Sequence, residues 1–185
     1  MEQALGQLPT DIEQVVLVNN AGTIDPIGLA HTNDSAEVSQ SIVLNLTAPM
    51  LLCGAFINQL KIAQLKKNYQ YIVRSGAQGI RGMECLLCRK ILRVDHFSSC
   101  IDAENEDVKV VSVAPGIIDT GMQEKIRQSD ATDFPLIEKF LDYKESGLLS
   151  SPEETARLLI EMNERTDFNE LPTILDIRNL STEKE

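Results

Sequence analysis

The chain has 185 residues, of which 43% are hydrophobic and 24% are charged, a composition typical of one soluble globular domain. Seventeen basic residues against 28 acidic residues give a net charge of -11, which disfavours nucleic acid as a partner. We find no apolar run of about 18–20 residues free of polar groups, so we expect no membrane span. The polar start, Met1–Thr10, is not typical of a signal peptide, and we expect a cytoplasmic protein.

The first half of the chain predicts one buried strand and one long helix. The run Val15–Val18 is short, apolar and closed by Asn19–Gly22, which predicts a strand buried on both faces. Asp34 and Glu37 have the spacing of a helix capping box, and the helix that they open is expected to reach about Leu65. The middle of this helix is apolar on nearly all sides, so we expect it to be sandwiched between other elements.

The second half predicts further strands at Tyr69–Val73, Val108–Val113 and Thr173–Ile177. Helix starts are predicted at Thr120 and at Ser151, which is followed by a proline at the first helical position. Strands that alternate with helices predict an α/β fold with a parallel sheet. In such folds ligands bind at the carboxyl ends of the strands.

Motifs at these strand ends resemble those of the short-chain dehydrogenase/reductase family. Asn19–Gly22 looks like the family's Asn-Asn-Ala-Gly motif, and Asn45 matches its helix asparagine. Ser75, in Ser-Gly-Ala, matches the catalytic serine, and the stretch around Pro115–Gly116 matches the Pro-Gly motif. The segment Asp119–Gln123 is most similar to the branch of sepiapterin reductases and bacterial benzil reductases.

The resemblance implies a truncated Rossmann-like parallel sheet with helices on both faces, built from the C-terminal strands of a short-chain reductase. It would form a single incomplete domain over residues 1–180, followed by a charged tail, residues 181–185. The implied reaction is the NADP(H)-dependent reduction of a small ketone, diketone or pterin. In the family a tyrosine donates the proton and a lysine four residues later lowers its pKa and binds the nicotinamide ribose. The serine holds the carbonyl oxygen, and the helix asparagine holds a water in the proton relay.

Carried over residue by residue, the resemblance gives the catalytic positions as Asn45, Ser75 and Lys90, with Leu86 in place of the tyrosine. It gives the cofactor-binding positions as Asn19, Ala21, Gly22, Lys90, Pro115, Gly116, Ile118 and Thr120. Asp176 aligns with an acidic substrate-binding residue of sepiapterin reductases. A zinc site built from Cys85, Cys88, His96 and Cys100 has suitable ligand types but matches no known spacing, so we predict no metal.

Two departures from the family pattern weaken the expected activity. The sequence contains no Gly-rich turn between a strand and a helix to cradle a pyrophosphate. Leu86 has no proton to donate, so we expect the chain to be a weak or inactive reductase. The alternative is a non-catalytic interaction or regulatory variant, which pairs as a homodimer or with an intact relative through its long helices.

The second departure has a possible origin in the reading frame. If Met83–Cys88 is encoded by ATG GAG TGC TTA TTG TGC, reading one base later gives Trp-Ser-Ala-Tyr-Cys-Ala. Continuing through Lys90 permits the complete Tyr-x-x-x-Lys motif. Our hypothesis is that residues from about 78 to 94 are an out-of-frame translation of the active-site helix.

Overall fold

A computed structural model describes residues 14–29, 31–62, 68–74 and 87–180, with residues 61–62, 68–74 and 87–93 described by their backbone alone. Within these residues, four parallel strands form one sheet in the order β1-β2-β3-β4. They are β1 (Gln14–Asn19), β2 (Asn68–Arg74), β3 (Val108–Ala114) and β4 (Ile174–Asp176). The predicted α/β class is confirmed. Because all four strands run in the same direction, their carboxyl ends lie at one edge of the sheet.

Seven helices connect and follow these strands in the described part of the chain: α1 (Ser35–Ile42), α2 (Ala48–Ile62), α3 (Leu87–Glu104), α4 (Gly121–Arg127), α5 (Ile137–Glu145), α6 (Pro152–Asn163) and α7 (Ile177–Leu180). A π-helical turn, Val43–Thr47, joins α1 to α2, and a short 3-10 turn, Phe168–Glu170, precedes β4.

Two of the three predicted helix starts are capped by the expected side chain. The Asp34 carboxylate accepts the backbone N–H groups of Ala36 and Glu37 at the start of α1. The Ser151 hydroxyl accepts the N–H of Glu154 at 3.0 Å, with proline at the first position of α6. Thr120 stands at the N-cap of α4, so the predicted helix start is confirmed, although the Thr120 side chain forms no capping hydrogen bond.

The sheet is covered on both faces, as predicted. On one face, Val110 of β3 packs in a cluster with Phe56 of α2 and Val94 of α3. On the other face, Val113 of β3 packs with Met162 of α6 and with residues near β4. The alternation of side chains along β3 therefore supplies both cores, with Val108 and Val110 on one face and Val111 and Val113 on the other.

Asp102 of α3 ties that helix to two strands. Its carboxylate accepts the N–H of Val110 at 3.0 Å, the Lys109 ammonium at 3.1 Å and the Thr173 hydroxyl at 2.6 Å. Burial alone would raise the pKa of Asp102, but these three hydrogen bonds together hold it below its ordinary value. The charged form of this carboxylate therefore stabilises the α3–β3–β4 packing.

Two expectations need correction. The predicted long helix is not one continuous α-helix, because the π-helical turn interrupts it, and the structure describes it only as far as Ile62. The last strand spans Ile174–Asp176 rather than Thr173–Ile177, since α7 begins at Ile177.

The stretch Ser35–Leu60 is long and apolar enough to cross a membrane by length and composition alone. Core helices of soluble proteins meet the same criterion, so the absence of a membrane span stays a prediction.

Candidate active site

The carboxyl edge of the sheet gathers most of the described residues that the sequence singled out. Asn19 is the last residue of β1, and residues 20–22 follow it directly. Pro115 and Gly116 follow β3, and Asp176 is the last residue of β4. The parallel pairing places these three strand ends side by side across the sheet, with the end of β2 between the first two. This edge is the ligand-binding edge in open parallel sheets.

Asn45 lies in a distorted turn of the helix next to this edge. Asn45 is the middle residue of the π-helical turn, and it is 4% exposed. Pro49 follows four residues later and has no N–H, so the ordinary α-helical hydrogen bond to the Asn45 carbonyl cannot form. Proline and π-turns are recognised causes of helix distortion, and π-turns occur frequently at functional sites. The sequence therefore carries a local reason for the distortion at Asn45.

The amide of Asn45 holds the loop that follows β1. Its Oδ1 accepts the backbone N–H of Thr23 at 2.9 Å, and its Nδ2 donates to the Thr23 carbonyl at 2.8 Å. The same Nδ2 donates to the Ser41 hydroxyl at 3.0 Å. One side chain therefore satisfies both backbone groups of Thr23, as a neighbouring strand would. This pairing fixes the distance between the loop and the helix at the edge of the sheet.

The residues that close β1 differ in their surroundings. Asn19 is buried, and its Nδ2 lies 3.5 Å from the Pro49 carbonyl. Asn20 and Ala21 are exposed, and Gly22 is partly exposed. The loop therefore meets the helix at two points, Asn19–Pro49 and Thr23–Asn45, and presents the intervening residues to solvent at the ligand-binding edge.

Gly116 is the position at this edge where only glycine fits well. Its φ is +81°, in the left-handed region that side chains avoid. A Cβ placed on Gly116 would lie 3.3 Å from Cδ of Arg178. Further along, Ile118 pairs with Ser150 in an isolated parallel bridge, and the Thr120 side chain makes no capping bond. The Ile118–Ser150 bridge thus ties this stretch to the residue that precedes the Ser151 cap of α6.

Asp176 is already engaged by a neighbouring cation. Its carboxylate accepts Nε of Arg178 at 2.9 Å, Nη2 at 2.5 Å and the backbone N–H of Arg178 at 3.0 Å. The Arg178 guanidinium holds the pKa of Asp176 below its ordinary value. A ligand that needs the Asp176 carboxylate would have to compete with this bidentate pair.

Three of the proposed catalytic positions are not placed by the structure. Ser75 and Leu86 lie outside the described residues. Lys90 belongs to α3, in the part of that helix that is described by its backbone alone. Of the zinc candidates, Cys85 lies outside the described residues and Cys88 lies in the part of α3 that is described by its backbone alone. His96 and Cys100 lie one helical turn apart, with Nε2 3.9 Å from Sγ.

The structure adds three residues that the motifs did not indicate: Thr23, Asp25 and Lys125. Asp25 Oδ2 accepts the Thr23 hydroxyl at 2.9 Å, and Asp25 Oδ1 lies 2.6 Å from the Lys125 ammonium of α4. Lys125 beside it holds the pKa of Asp25 below its ordinary value, although partial burial opposes this shift. No local sequence pattern joins residues 100 positions apart, so these contacts appear only in three dimensions.

A cleft of about 780 Å³ lies between these elements. The loop after β1 lines it with Thr23, Asp25 and Ile27, and the C-terminal part of α4 and the residues after it contribute Lys125 and Gln128. α1 and the π-helical turn contribute further lining residues, which are Glu37, Gln40, Ser41 and Leu44. The cleft therefore adjoins the Asn45–Thr23 contact and carries both apolar and hydrogen-bonding groups.

Comparison with known proteins gives a consistent picture. The family described as short chain dehydrogenase matches residues 1–131. A benzil reductase ((S)-benzoin forming) of Bacillus subtilis (strain 168) is 34% identical over 159 residues, covering 84% of this chain and 65% of the relative. A sepiapterin reductase of Meriones unguiculatus is 30% identical over 164 residues, covering 86% of this chain and 62% of the relative. The chain thus spans just under two thirds of the length of these curated relatives.

A solved structure supports the fold. The crystal structure of a putative 2-deoxy-d-gluconate 3-dehydrogenase from Agrobacterium tumefaciens with bound NADP superposes with a TM-score of 0.68. The sequences are 20% identical, and the superposition covers 87% of this chain and 64% of the other. At this level of identity the likeness concerns the fold alone.

Proposed function

Because this chain belongs to the short-chain dehydrogenase family, in the branch of the benzil and sepiapterin reductases, we propose that it carries the site of a carbonyl reductase. The proposed substrate is a small ketone, diketone or pterin, and the proposed cofactor is NADP(H). With leucine at position 86, the chain reduces this substrate weakly or not at all. We also propose a cytoplasmic location, in keeping with the acidic composition.

The observation that carries the proposal is the position of Asn45. π-Helical turns are rare and occur frequently at functional sites. In this chain the π-helical turn contains a buried asparagine that is hydrogen-bonded to both backbone groups of Thr23. It lies beside the carboxyl edge of a parallel sheet, where ligands bind in this class of fold. The matching motif residues of β1 and β3 lie at the same edge, which supports the proposal.

The residues of this chain fit the nicotinamide end of the proposed cofactor. Gly116 has no side chain and is partly exposed, and the Thr120 hydroxyl is not used by the helix cap, so both are available to contact a flat ring and its amide. The exposed residues Asn20 and Ala21 lie at the same edge. The sequence holds no Gly-rich turn for the pyrophosphate, so we expect weak cofactor binding by this chain. When bound, the cofactor supplies the hydride for the carbonyl carbon.

The proposed defect is the missing proton donor. A phenol hydroxyl in the family's position donates a proton to the carbonyl oxygen, and general acid catalysis contributes about 10²–10⁴-fold to the rate. Leucine cannot make this transfer. Asn45, Ser75 and Lys90 remain in the sequence, so restoring one hydroxyl at position 86 completes the proposed catalytic set.

The experiment is the substitution Leu86→Tyr, with Leu86→Phe as the matched control for ring size. Benzil reduction is followed by the loss of NADPH absorbance at millimolar NADPH, which compensates for weak cofactor binding. We expect the Leu86→Tyr variant to exceed both the wild type and Leu86→Phe by at least about 100-fold. If all three proteins remain at the background rate, the reductase proposal is wrong.

A second candidate, an interaction role, is favoured by the apolar surface of the long helix. Val43, Leu44, Met50 and Leu51 are exposed in the described structure, with Leu51 at 69%. An exposed apolar patch of this kind marks an interaction surface. The partner that we propose is a second copy of the chain, packed through α1 and α2.

The mass of the chain in solution tests this candidate. Light scattering after size exclusion should give twice 20.5 kDa for the wild type and 20.5 kDa for Leu51→Lys. The control is Leu148→Lys, which changes a leucine that is 63% exposed elsewhere and should leave the dimer intact. A monomeric wild type at tens of micromolar would rule out the dimer.

A further inference from the structure

Helix α3 carries two metal-ligating side chains on the face that points away from the sheet. Its inner face is apolar, because Val94, Phe97 and Ile101 pack in the core with α2 and β3. These positions recur every three or four residues, so the residues on the opposite side of the helix face outward. His96 and Cys100 occupy two of those outward positions, and both are exposed.

The imidazole of His96 and the thiol of Cys100 lie side by side. The two residues are four positions apart, about one turn of the helix, and Nε2 of His96 lies 3.9 Å from Sγ of Cys100. As a hydrogen bond this contact is long, and a thiol is a weak donor. The same spacing is the one by which two histidines on a helix present their nitrogens to a single zinc ion.

The distance between the two atoms suits one tetrahedral ion. Zinc lies about 2.3 Å from a thiolate sulfur and about 2.0–2.1 Å from an imidazole nitrogen, and at a tetrahedral angle these bonds place sulfur and nitrogen about 3.6 Å apart. The observed 3.9 Å between Nε2 and Sγ exceeds that separation by only about 0.3 Å. A small rotation of either side chain therefore completes the geometry.

The chemistry of the pair determines which ions it holds. A thiolate and an imidazole favour soft or borderline cations, whereas Mg²⁺ and Ca²⁺ favour oxygen ligands. Among the residues that the structure describes, no group of three or more histidine, cysteine or carboxylate side chains is placed to hold a metal ion. Structural zinc sites use four protein ligands, so a site with two is too open for folding to depend on it.

We propose that His96 and Cys100 form a two-residue clamp that binds one soft or borderline divalent cation, such as Cd²⁺ or Zn²⁺, per chain. The Cys100 thiol releases its proton to solvent as the sulfur binds the cation, and His96 binds through Nε2 in its neutral form. Water fills the remaining positions. This clamp differs from the zinc site considered from the sequence, which also required Cys85 and Cys88. It does not depend on the reductase activity, so its test needs neither NADPH nor a carbonyl substrate.

The test is a titration with Cd²⁺, because a bond between Cd²⁺ and a thiolate gives a charge-transfer band in the ultraviolet. Every protein in the test is the full chain with Cys85→Ser and Cys88→Ser, which we call the reference chain. Its remaining thiols are the exposed Cys100 and the buried Cys53. A thiolate band that appears on adding Cd²⁺ therefore reports mainly on Cys100.

Three further variants are made in the reference chain. His96→Gln and Cys100→Ser each remove one ligand. The matched control exchanges two exposed residues of α3 by combining His96→Ser with Ser99→His. This exchange variant keeps the composition of the chain, but it places the imidazole next to Cys100 in sequence, where neighbouring helical side chains do not face each other.

We expect the reference chain to bind one equivalent of Cd²⁺, with growth of the thiolate band and no displacement by a large excess of Mg²⁺. Linking two ligands raises affinity by about 10²–10⁴-fold over one, so His96→Gln and the exchange variant should each raise the Kd for Cd²⁺ by at least about tenfold. Cys100→Ser should abolish the band. Circular dichroism should give the same spectrum for all four proteins, with Cd²⁺ and with a chelator, since the substituted positions of α3 are exposed.

Four results would overturn the clamp. An exchange variant that binds Cd²⁺ as tightly as the reference chain would show that the spacing of the two ligands has no role. A band that persists in Cys100→Ser would belong to Cys53. Displacement of Cd²⁺ by Mg²⁺ would indicate a site made of oxygen ligands. One Cd²⁺ for every two chains would assign the ion to a contact between copies instead of to one helix.

Discussion

The substitution Asn45→Leu tests the hydrogen bonds that hold the candidate active site. Leucine has a similar shape but no polar atoms, so it removes the bonds to the Thr23 N–H, the Thr23 carbonyl and the Ser41 hydroxyl. At about 1 kcal/mol for each bond, the free energy of unfolding should fall by about 3 kcal/mol. For a chain of this length that corresponds to a melting temperature about 6–12 °C lower.

Thermal unfolding monitored by circular dichroism, together with urea titration, measures both quantities. The matched control is Asn58→Leu, an exposed asparagine in α2, whose replacement should shift the melting temperature by less than about 2 °C. If Asn45→Leu and Asn58→Leu melt at the same temperature, the amide of Asn45 does not support the loop. The inference that the π-helical turn positions the loop after β1 through Asn45 would then be wrong.

Three further predictions follow from single contacts. Gly116→Ala should lower the free energy of unfolding by about 1–2 kcal/mol in urea titration, because the φ of Gly116 is +81° and a Cβ there would crowd Arg178. Gly121→Ala should be nearly neutral in the same assay, because there is open space around Gly121. Ser151→Ala should cost about 1 kcal/mol in the same assay through the lost cap of α6, and Ser151→Asp should retain most of the stability. The lowered pKa of Asp102 contributes stability above its ordinary pKa of 3.8, and this stability is lost as the pH falls through the lower, folded-state value. Asp102→Asn should therefore show a shallower loss of stability than the wild type as the pH falls below 3.8, and equal acid titrations of the two proteins would contradict this.

The elements that could be predicted from sequence are those set by local rules. Four of the six residues in the run Val108–Val113 are valine, a β-branched residue that favours strands, so a strand is predicted there. Asp34 and Ser151 lie at the spacings that cap a helix, and both do so. These features depend on neighbours within four residues, and the sequence displays them directly.

The contacts that could not be predicted join distant parts of the chain. The pairing of Asn45 with Thr23 spans 22 positions, and the bridge from Asp25 to Lys125 spans 100. Pro49 gave a local signal for the helix distortion, but proline alone does not distinguish a kink from a π-helical turn. The pair of Asp176 with Arg178, two residues apart, could have been anticipated from its spacing and would have qualified the assignment of Asp176 to substrate binding.

The nucleotide sequence of the transcript at codons 83–90 tests most directly whether Leu86 is a frame-shifted reading of the family's tyrosine codon. In the shifted frame, tyrosine arises only if codon 86 is TTA or CTA, and lysine arises at the last position only if codon 90 is AAA. The account predicts A as the third base of both codons. Any other base at codon 86 would contradict the frame-shift hypothesis, and Leu86 would then be a substitution with a different origin.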